Sequence, residues 1–334
     1  QVASGLVTST AGAGDAGTIR LSGASLELSE GLVSSSSVGE GAAGSIELDL
    51  AERLELVEGS SVSVSSSQAD GGDIRVSTDG EVRLSGSELT ASSAGDGNAG
   101  TIRVSGASLE LSEGLVSSSS VGQGAAGSIE LDLAERLELV EGSSVSVSSS
   151  QADGGDIRVS TDGEVYLSGS ELTASAAGDG GSVKLLGSGN VFMTEGTVSA
   201  EAGQDGGNIE ISSPQTLVLQ SSGLVANAIQ GDGGNISIVA EGFLPSRESV
   251  ISASSEFGLE GSIEIETPET DVGSGLVVLP ESLVEAEINL SDRCALMLGG
   301  DVSSFFLNGD GGVPVWSRVS YVPSVFLGDE EGEE

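Results

Sequence analysis

Four aspartates form the one arrangement in this sequence whose residue type and spacing could bind a ligand. Each stands two residues before a glycine that opens a recurring motif: Asp153, Asp179, Asp205 and Asp232. If the recurring segments stack as neighbouring strands do, the carboxylates form a ladder with roughly 5 Å between rungs. Such a ladder either binds Ca²⁺, which prefers oxygen ligands, or places like charges against each other.

The same aspartates have a second interpretation as turn residues. In an Asp-Gly-Gly turn the carboxylate accepts backbone N–H groups, and glycine supplies a positive φ. The nonapeptide pattern GGxGxDxUx of calcium-binding β-helices is absent, because the spacing of the motifs here is 26 to 28 residues. We therefore predict no cofactor and no metal site, and Ca²⁺ at the ladder is the one metal hypothesis to test.

Catalytic chemistry has few candidates in this chain. It contains no histidine, its single cysteine is Cys294, and no HExxH, GxSxG or P-loop spacing occurs. We predict a protein that is not an enzyme and has no catalytic residues. The alternative is a polysaccharide-acting β-helix with an acid pair among its 52 carboxylates. Such enzymes build a groove from long inserted loops, whereas the repeat length here is nearly constant.

The charge of the chain argues against nucleic acid as a partner. Fifty-two acidic residues face eleven basic ones, and the formal net charge is -41 at pH 7. Nucleic-acid binding needs clustered Lys and Arg that displace counterions. Such acidity is typical both of proteins adapted to salt, which screens self-repulsion, and of many secreted proteins.

These residues lie in a chain that repeats itself. Residues 17–96 recur at 100–179 with four differences: Leu21/Val104, Glu40/Gln123, Arg83/Tyr166 and Ser93/Ala176. The 83-residue repeat unit, at 17–99 and 100–182, contains three shorter repeats, each opened by an anchor glycine. The anchor glycines are Gly17, Gly44, Gly72, Gly100, Gly127, Gly155, Gly181, Gly207, Gly234 and Gly261. Repetition on this scale predicts a stack of similar segments instead of a globule with one cleft.

Each short repeat contains three stretches in which apolar and polar residues alternate. In one repeat the apolar members are Ile46 and Leu48, then Leu54 and Leu56, then Val62 and Val64. Alternation indicates strands with one buried face, and like residues one period apart suit parallel, in-register stacking. The sequence predicts an all-β fold: a right-handed parallel β-helix (β-solenoid) over residues 1–266, with three strands per coil and about ten coils.

The predicted coils place small residues inward and charged residues outward. The third stretch is rich in serine, as at Val33-Ser-Ser-Ser-Ser, and its buried hydroxyls should bond to the backbone or along the stack. Outward positions of the first stretch hold Arg20, Glu47 and Arg75 in successive coils. We therefore expect opposite charges to alternate there and the arginines to pair locally.

The repeats end near Thr267. Residues 267–328 hold most of the larger aromatic side chains: Phe305, Phe306, Trp316, Tyr321 and Phe326. Because the end of a solenoid exposes unpaired strand edges, we predict that residues 267–328 form a C-terminal cap. The acidic residues 329–334 are predicted to be a flexible tail.

Several segments in a fixed order carry a family resemblance: Gly231-Asp-Gly-Gly-Asn-Ile-Ser-Ile, Ser274-Gly-Leu-Val-Val-Leu-Pro, Cys294 and residues 303–314. They resemble the coil motif GxGGxIxI and the closing segments SGLVxLP, a lone Cys and SSFxxxGRGGLP of filamentous haemagglutinin-like exoproteins of two-partner secretion, cyanobacterial type. Asp310 departs from that pattern, which has Arg there. Gly5-Leu-Val-Thr-Ser-Thr matches Gly31-Leu-Val-Ser-Ser-Ser, so the chain resembles a C-terminal portion that begins partway through a coil.

The resemblance implies export from a Gram-negative type bacterium by an outer-membrane β-barrel transporter, to the cell surface or the medium. It implies a non-catalytic adhesin or stalk in adhesion, aggregation or matrix formation, toward a cell-surface or polysaccharide receptor that the sequence does not name. The alternative is a structural protomer of an extracellular fibre whose chains self-associate end to end. Duplication of the repeat unit supplies length, which serves a stalk or a fibre better than a catalyst.

Overall fold

The computed structural model describes residues 5–268, and these form an all-β solenoid of about ten turns without helices. Neighbouring strands pair in parallel and build two sheets. The predicted fold class, an all-β parallel β-solenoid, is confirmed. The predicted cap and tail, and Cys294, lie outside the described residues except for Thr267 and Pro268.

Each coil contributes one strand to a ten-stranded sheet. With strands numbered in chain order, these are β1 (Gly5–Thr10), β3 (Leu32–Ser37), β5 (Ser61–Ser66), β8 (Glu88–Ser93), β10 (Leu115–Ser120), β12 (Ser144–Ser149), β15 (Glu171–Ala176), β18 (Thr197–Ser199), β20 (Gly223–Val225) and β22 (Val250–Ser252). Their inward positions are buried valine, leucine, alanine and serine.

The rest of each coil belongs to a thirteen-stranded sheet. Its strands are β2 (Ile19–Ser29), β4 (Ile46–Val57), β6 (Ile74–Thr78), β7 (Glu81–Ser85), β9 (Thr101–Ser112), β11 (Ser128–Val140), β13 (Asp156–Thr161), β14 (Glu164–Ser168), β16 (Ser182–Gly187), β17 (Val191–Thr194), β19 (Asn208–Gln220), β21 (Asn235–Pro245) and β23 (Ser262–Glu266). Six of them are continuous strands of 11 to 13 residues that cover two of the three predicted stretches.

Three strands per coil is therefore not confirmed as a general rule. Only the coils of β6/β7, β13/β14 and β16/β17 divide the long strand. In the first, the Thr78 hydroxyl accepts the N–H of Gly80 at 3.2 Å, which diverts that amide from the ladder. A Cβ on Gly80 would lie 1.7 Å from the carbonyl oxygen of Glu52, so the break requires glycine. The handedness stays a prediction.

The core consists of columns of like residues. One column contains Ile19, Ile46, Ile74, Ile102, Ile129 and Ile157 in successive coils. All six are at most 4% exposed. Differences in coil length are absorbed at the corner of the long strands, where the register shifts, for example between Leu133 and Arg136. The core columns thus stay aligned while coil length varies.

The inward serines make the hydrogen bonds expected of them. The hydroxyls of Ser35 and Ser118 donate to the carbonyl oxygens of Gly17 and Gly100, both at 2.7 Å. These serines are fully buried and occupy equivalent positions in the two repeat units. The prediction that buried hydroxyls bond to the backbone is confirmed.

Candidate functional site

The aspartate ladder is present, and its carboxylates bond to the backbone of the next coil. Oδ1 of Asp153 accepts the N–H of Asp179 at 3.1 Å, and Oδ1 of Asp205 accepts the N–H of Asp232 at 2.9 Å. Asp179 and Asp232 accept the amides of Asp205 and Leu259 in the same way. The interpretation of these side chains as acceptors of backbone N–H groups is confirmed.

Earlier coils show what the ladder position selects. It is occupied in order by Asp15, Ala42, Asp70, Asn98 and Ala125. Asp15, Asp70 and Asn98 each accept the amide of the following rung at 2.9 Å. Because the amide oxygen of asparagine serves as well as a carboxylate, the position selects a side-chain acceptor and not a charge. No group of three or more Asp, Glu, Cys or His side chains within residues 5–268 could hold a metal ion.

The anchor glycines of these turns have a role that the sequence interpretation missed. They were expected to supply positive φ, but the described glycines with positive φ are Gly59, Gly86, Gly142 and Gly169, at a different turn. A Cβ on Gly155 would instead lie 1.7 Å from the carbonyl oxygen of Gly127. The expectation was wrong: glycine is needed because each anchor packs directly on the carbonyl of the preceding coil.

Cations lie side by side on the first outer column of the thirteen-stranded sheet. Its order is Arg20, Glu47, Arg75, Arg103, Glu130, Arg158, Lys184 and Glu210. The expected alternation of sign is therefore wrong at two places, Arg75 beside Arg103 and Arg158 beside Lys184. The duplication of the repeat unit reproduces the first pair as the second, with Lys184 in place of arginine.

Local ion pairing is only partly observed in this column. Arg103 donates to Glu130 at 2.6 Å, and this hydrogen bond lowers the pKa of the Glu130 carboxyl and raises the pKa of the guanidinium. Lys184 pairs with Glu210 at 3.2 Å. Arg75 and Arg158, which are equivalent in the two repeat units, form no ion pair with any residue of the described part.

A second outer column of the same sheet changes character along the solenoid. Its first five members, here called the charged column, are Glu27, Glu55, Arg83, Glu110 and Glu138. Its next four members, the apolar column, are Tyr166, Phe192, Val218 and Leu244. The change begins at Tyr166, which replaces the Arg83 of the first repeat unit.

The surroundings of the two columns differ as much as their members. Arg83 contacts Glu110 at 2.8 Å and Glu81 at 3.6 Å, and Glu110 is the main cause of the raised pKa of its guanidinium. Residues two positions before and after the members of the charged column add three charges: Arg53, Glu81 and Arg136. The equivalent neighbours of the apolar column include one charge and are Glu164, Ser168, Asn190, Thr194, Thr216, Gln220, Gly242 and Ser246.

Aromatic stacking organises the apolar column. The rings of Tyr166 and Phe192 have centroids 5.0 Å apart and planes inclined by 17°. The Tyr166 hydroxyl donates to Glu164 at 2.9 Å, which raises the pKa of the phenol. Leu244 is 61% exposed, while Tyr166, Phe192 and Val218 are half-buried.

Sequence reasoning missed the apolar column, although a signal existed. Its members recur every 26 residues at positions whose neighbours point inward. Apolar residues at an outward position of a repeating strand are a departure from the pattern of the earlier coils, where the same position is charged.

No protein-family model, no curated protein and no solved structure matches this chain. Within residues 5–268 no helix is long and apolar enough to cross a membrane. The resemblance to filamentous haemagglutinin-like exoproteins stays a prediction.

Proposed function

We propose that this chain is the β-solenoid stalk of an extracellular adhesin that acts in adhesion, aggregation or matrix formation and is not an enzyme. In line with its resemblance, an outer-membrane β-barrel partner would export it to the cell surface. The proposal extends to a cell-surface or polysaccharide receptor, with no nucleic acid as partner.

One observation carries the proposal: the coils are closed by turns too tight to build a cleft. A Cβ on Gly100 or Gly127 would lie 1.9 Å from the carbonyl oxygen of the preceding anchor glycine. Successive turns therefore pack backbone on backbone, and no long loop enters between them in residues 5–268. A regular rod surface suits a spacer that presents a binding end more than it suits catalysis.

An in-register deletion tests the stalk. Residues 44–126 are one repeat unit, since Ala43-Gly44 and Ala126-Gly127 are equivalent junctions. Beads coated with the full chain should adhere to cells or polysaccharide, and beads coated with the deletion variant should adhere equally, because the variant loses only about 14 Å of solenoid. Loss of adhesion in a folded deletion variant would place the binding activity inside the repeat unit and contradict the stalk.

Two further measurements test the remaining parts of the proposal. Release of reducing ends from polysaccharides by the full chain would support the enzyme alternative instead. Filaments of varied length in electron micrographs would support the end-to-end fibre. Mass spectrometry of surface and medium fractions of the producing cells should detect the chain there, and its restriction to the cell interior would contradict export.

A further inference from the structure

We propose that the apolar column is the contact by which two molecules of this chain pair side by side. The proposal concerns Tyr166, Phe192, Val218 and Leu244 together with their uncharged neighbours. It goes beyond the proposed function, because a stalk needs no second molecule.

Charge identifies where two molecules can meet. With a net charge of -41, identical molecules repel each other wherever acidic surfaces approach. The apolar column and its neighbours contain a single charged residue, Glu164, and its carboxylate accepts the Tyr166 hydroxyl. A contact of this column with itself therefore brings few charges together, whereas the same contact at the charged column would oppose Glu27, Glu55, Glu110 and Glu138.

The composition of this surface is that of a protein interface. Aromatic and aliphatic residues form its centre, and Asn190, Thr194, Thr216 and Gln220 form an uncharged polar rim. Interface centres are depleted in charge and enriched in aromatic residues, with polar residues around them. A sugar ring packs on the face of an aromatic ring, but Tyr166 and Phe192 cover each other's faces by stacking. The geometry thus favours a second protein molecule over a glycan.

The size of the surface sets the strength of the pairing. Four coils of about 4.8 Å by five strand residues of about 3.3 Å give about 300 Å² on each molecule. Stable complexes bury about 800 Å² on each partner, so the pairing is weak in dilute solution. Molecules held side by side at high local concentration would pair through it much more completely.

Both molecules use the same column, so the contact is isologous. Isologous contacts close into dimers, whereas head-to-tail contacts continue into filaments. Side-by-side pairing therefore predicts a closed monomer–dimer equilibrium. Because salt screens the repulsion of the acidic surfaces, added NaCl should strengthen it, unlike a contact held by ion pairs.

The experiment is analytical ultracentrifugation of the full chain over a range of protein and NaCl concentrations. The Val218→Glu variant should weaken dimerisation about tenfold or more, because it places like charges in the contact. The fold accepts glutamate in this column, since Glu110 and Glu138 occupy it in earlier coils. The matched control is Val140→Glu, which adds the same charge at a half-buried outward position beside the charged column and should leave dimerisation unchanged.

The Tyr166→Arg variant gives an independent test in case Val218→Glu fails to fold. It restores the residue of the first repeat unit, and Glu138 and Glu164 would flank the new guanidinium as Glu110 and Glu81 flank Arg83. It should also weaken dimerisation, and circular dichroism would establish that each variant is folded.

Several outcomes would overturn the proposal. They are a wild-type chain that stays monomeric at every concentration and salt level, equal dimerisation of wild type and folded Val218→Glu or Tyr166→Arg, and growth into filaments. Saturable binding of a soluble neutral glucan that Val218→Glu abolishes, without dimerisation of the wild type, would assign the column to a glycan instead.

Discussion

The two repeat units, residues 17–96 and 100–179, differ at four positions that lie in different surroundings. Leu21/Val104 and Ser93/Ala176 are inward positions, and each exchange replaces a residue by one of similar size and chemistry. Glu40/Gln123 is exposed at a turn. Arg83/Tyr166 alone changes the chemical class of a side chain on the outer face of a sheet.

This difference shows which parts of the solenoid are constrained. Inward columns and anchor glycines must fit the coils on both sides, so they tolerate only near-equivalent residues. An outward side chain meets only its neighbours in the same column and water. New binding properties can therefore arise at an outward position, as the apolar column does beyond Tyr166, without changing the stack.

The largest expected effect tests whether the two units are equivalent in their stacking. Gly72→Ala and Gly155→Ala should each destabilise the solenoid by more than about 3 kcal/mol, because they force backbone apart. Their Cβ atoms would lie 1.6 and 1.7 Å from the carbonyl oxygens of Gly44 and Gly127. Urea unfolding of the two variants should give closely similar losses.

The controls for these variants are Gly59→Ala and Gly142→Ala. Both glycines have positive φ, 77° and 75°, but a Cβ on either would meet nothing within 4 Å. Each control should cost only about 1 kcal/mol, the backbone penalty of a side chain in the left-handed region. An equal loss in controls and anchor variants would contradict the close-packing argument.

A smaller effect is expected at the turn between the two sheets. Glu58 and Glu141 have positive φ, 55° and 56°, where the third coil of each unit has Gly86 or Gly169. Glu58→Gly and Glu141→Gly should each raise the free energy of unfolding by about 0.5 kcal/mol, since relief of strain exceeds the gain in entropy of the unfolded chain. Thermal unfolding that shows destabilisation in both variants would mean that the hydrogen bonds from Ser29 and Ser112 outweigh the strain.

The coil period, the inward columns and the acceptor role of the aspartates could be predicted from the sequence, because alternation and repetition report directly on burial. The neighbours of outward residues could not, because coil length varies between 26 and 28 residues and a corner absorbs the difference. Which corner does so depends on backbone packing. It decides that Arg75 faces Arg103 and that Tyr166 faces Phe192.

The ladder offers a matched pair of sites with identical local sequence. Asp70 and Asp153 both follow an alanine rung, but the next rung is Asn98 in one case and Asp179 in the other. Asp153→Asn keeps the acceptor and removes a like-charge contact, so it should stabilise the chain by about 0.5 kcal/mol at low salt. Asp70→Asn should have no effect, and in about 1 M NaCl the two variants should behave alike.

Calcium titration of the same pair tests the metal hypothesis. If the ladder binds Ca²⁺, the ion should raise the melting temperature of the wild type and of Asp70→Asn more than that of Asp153→Asn. An equal response of all three proteins, or none, would leave hydrogen bonding to the backbone as the role of the ladder.

The smallest expected effect separates the equivalent arginines Arg20 and Arg103. Arg20→Gln loses an attraction to Glu47, whereas Arg103→Gln loses an attraction to Glu130 and also a repulsion from Arg75. The second variant should therefore lose less stability than the first, and both losses should stay below about 1 kcal/mol because the pairs are partly exposed.

The dependence of the Arg103→Gln effect on pH identifies its cause. Arg103 lowers the folded-state pKa of Glu130 below the ordinary value of 4.5, so the folded state binds this proton less readily than the unfolded state does. The stabilisation is then complete above pH 4.5 and disappears as the pH falls through the lowered pKa. The gap between wild type and Arg103→Gln should therefore close on acidification, while carbon-detected NMR titration shows the Glu130 pKa rising in the variant. A gap that is independent of pH would mean that packing of the arginine stem, and not its charge, stabilises this column.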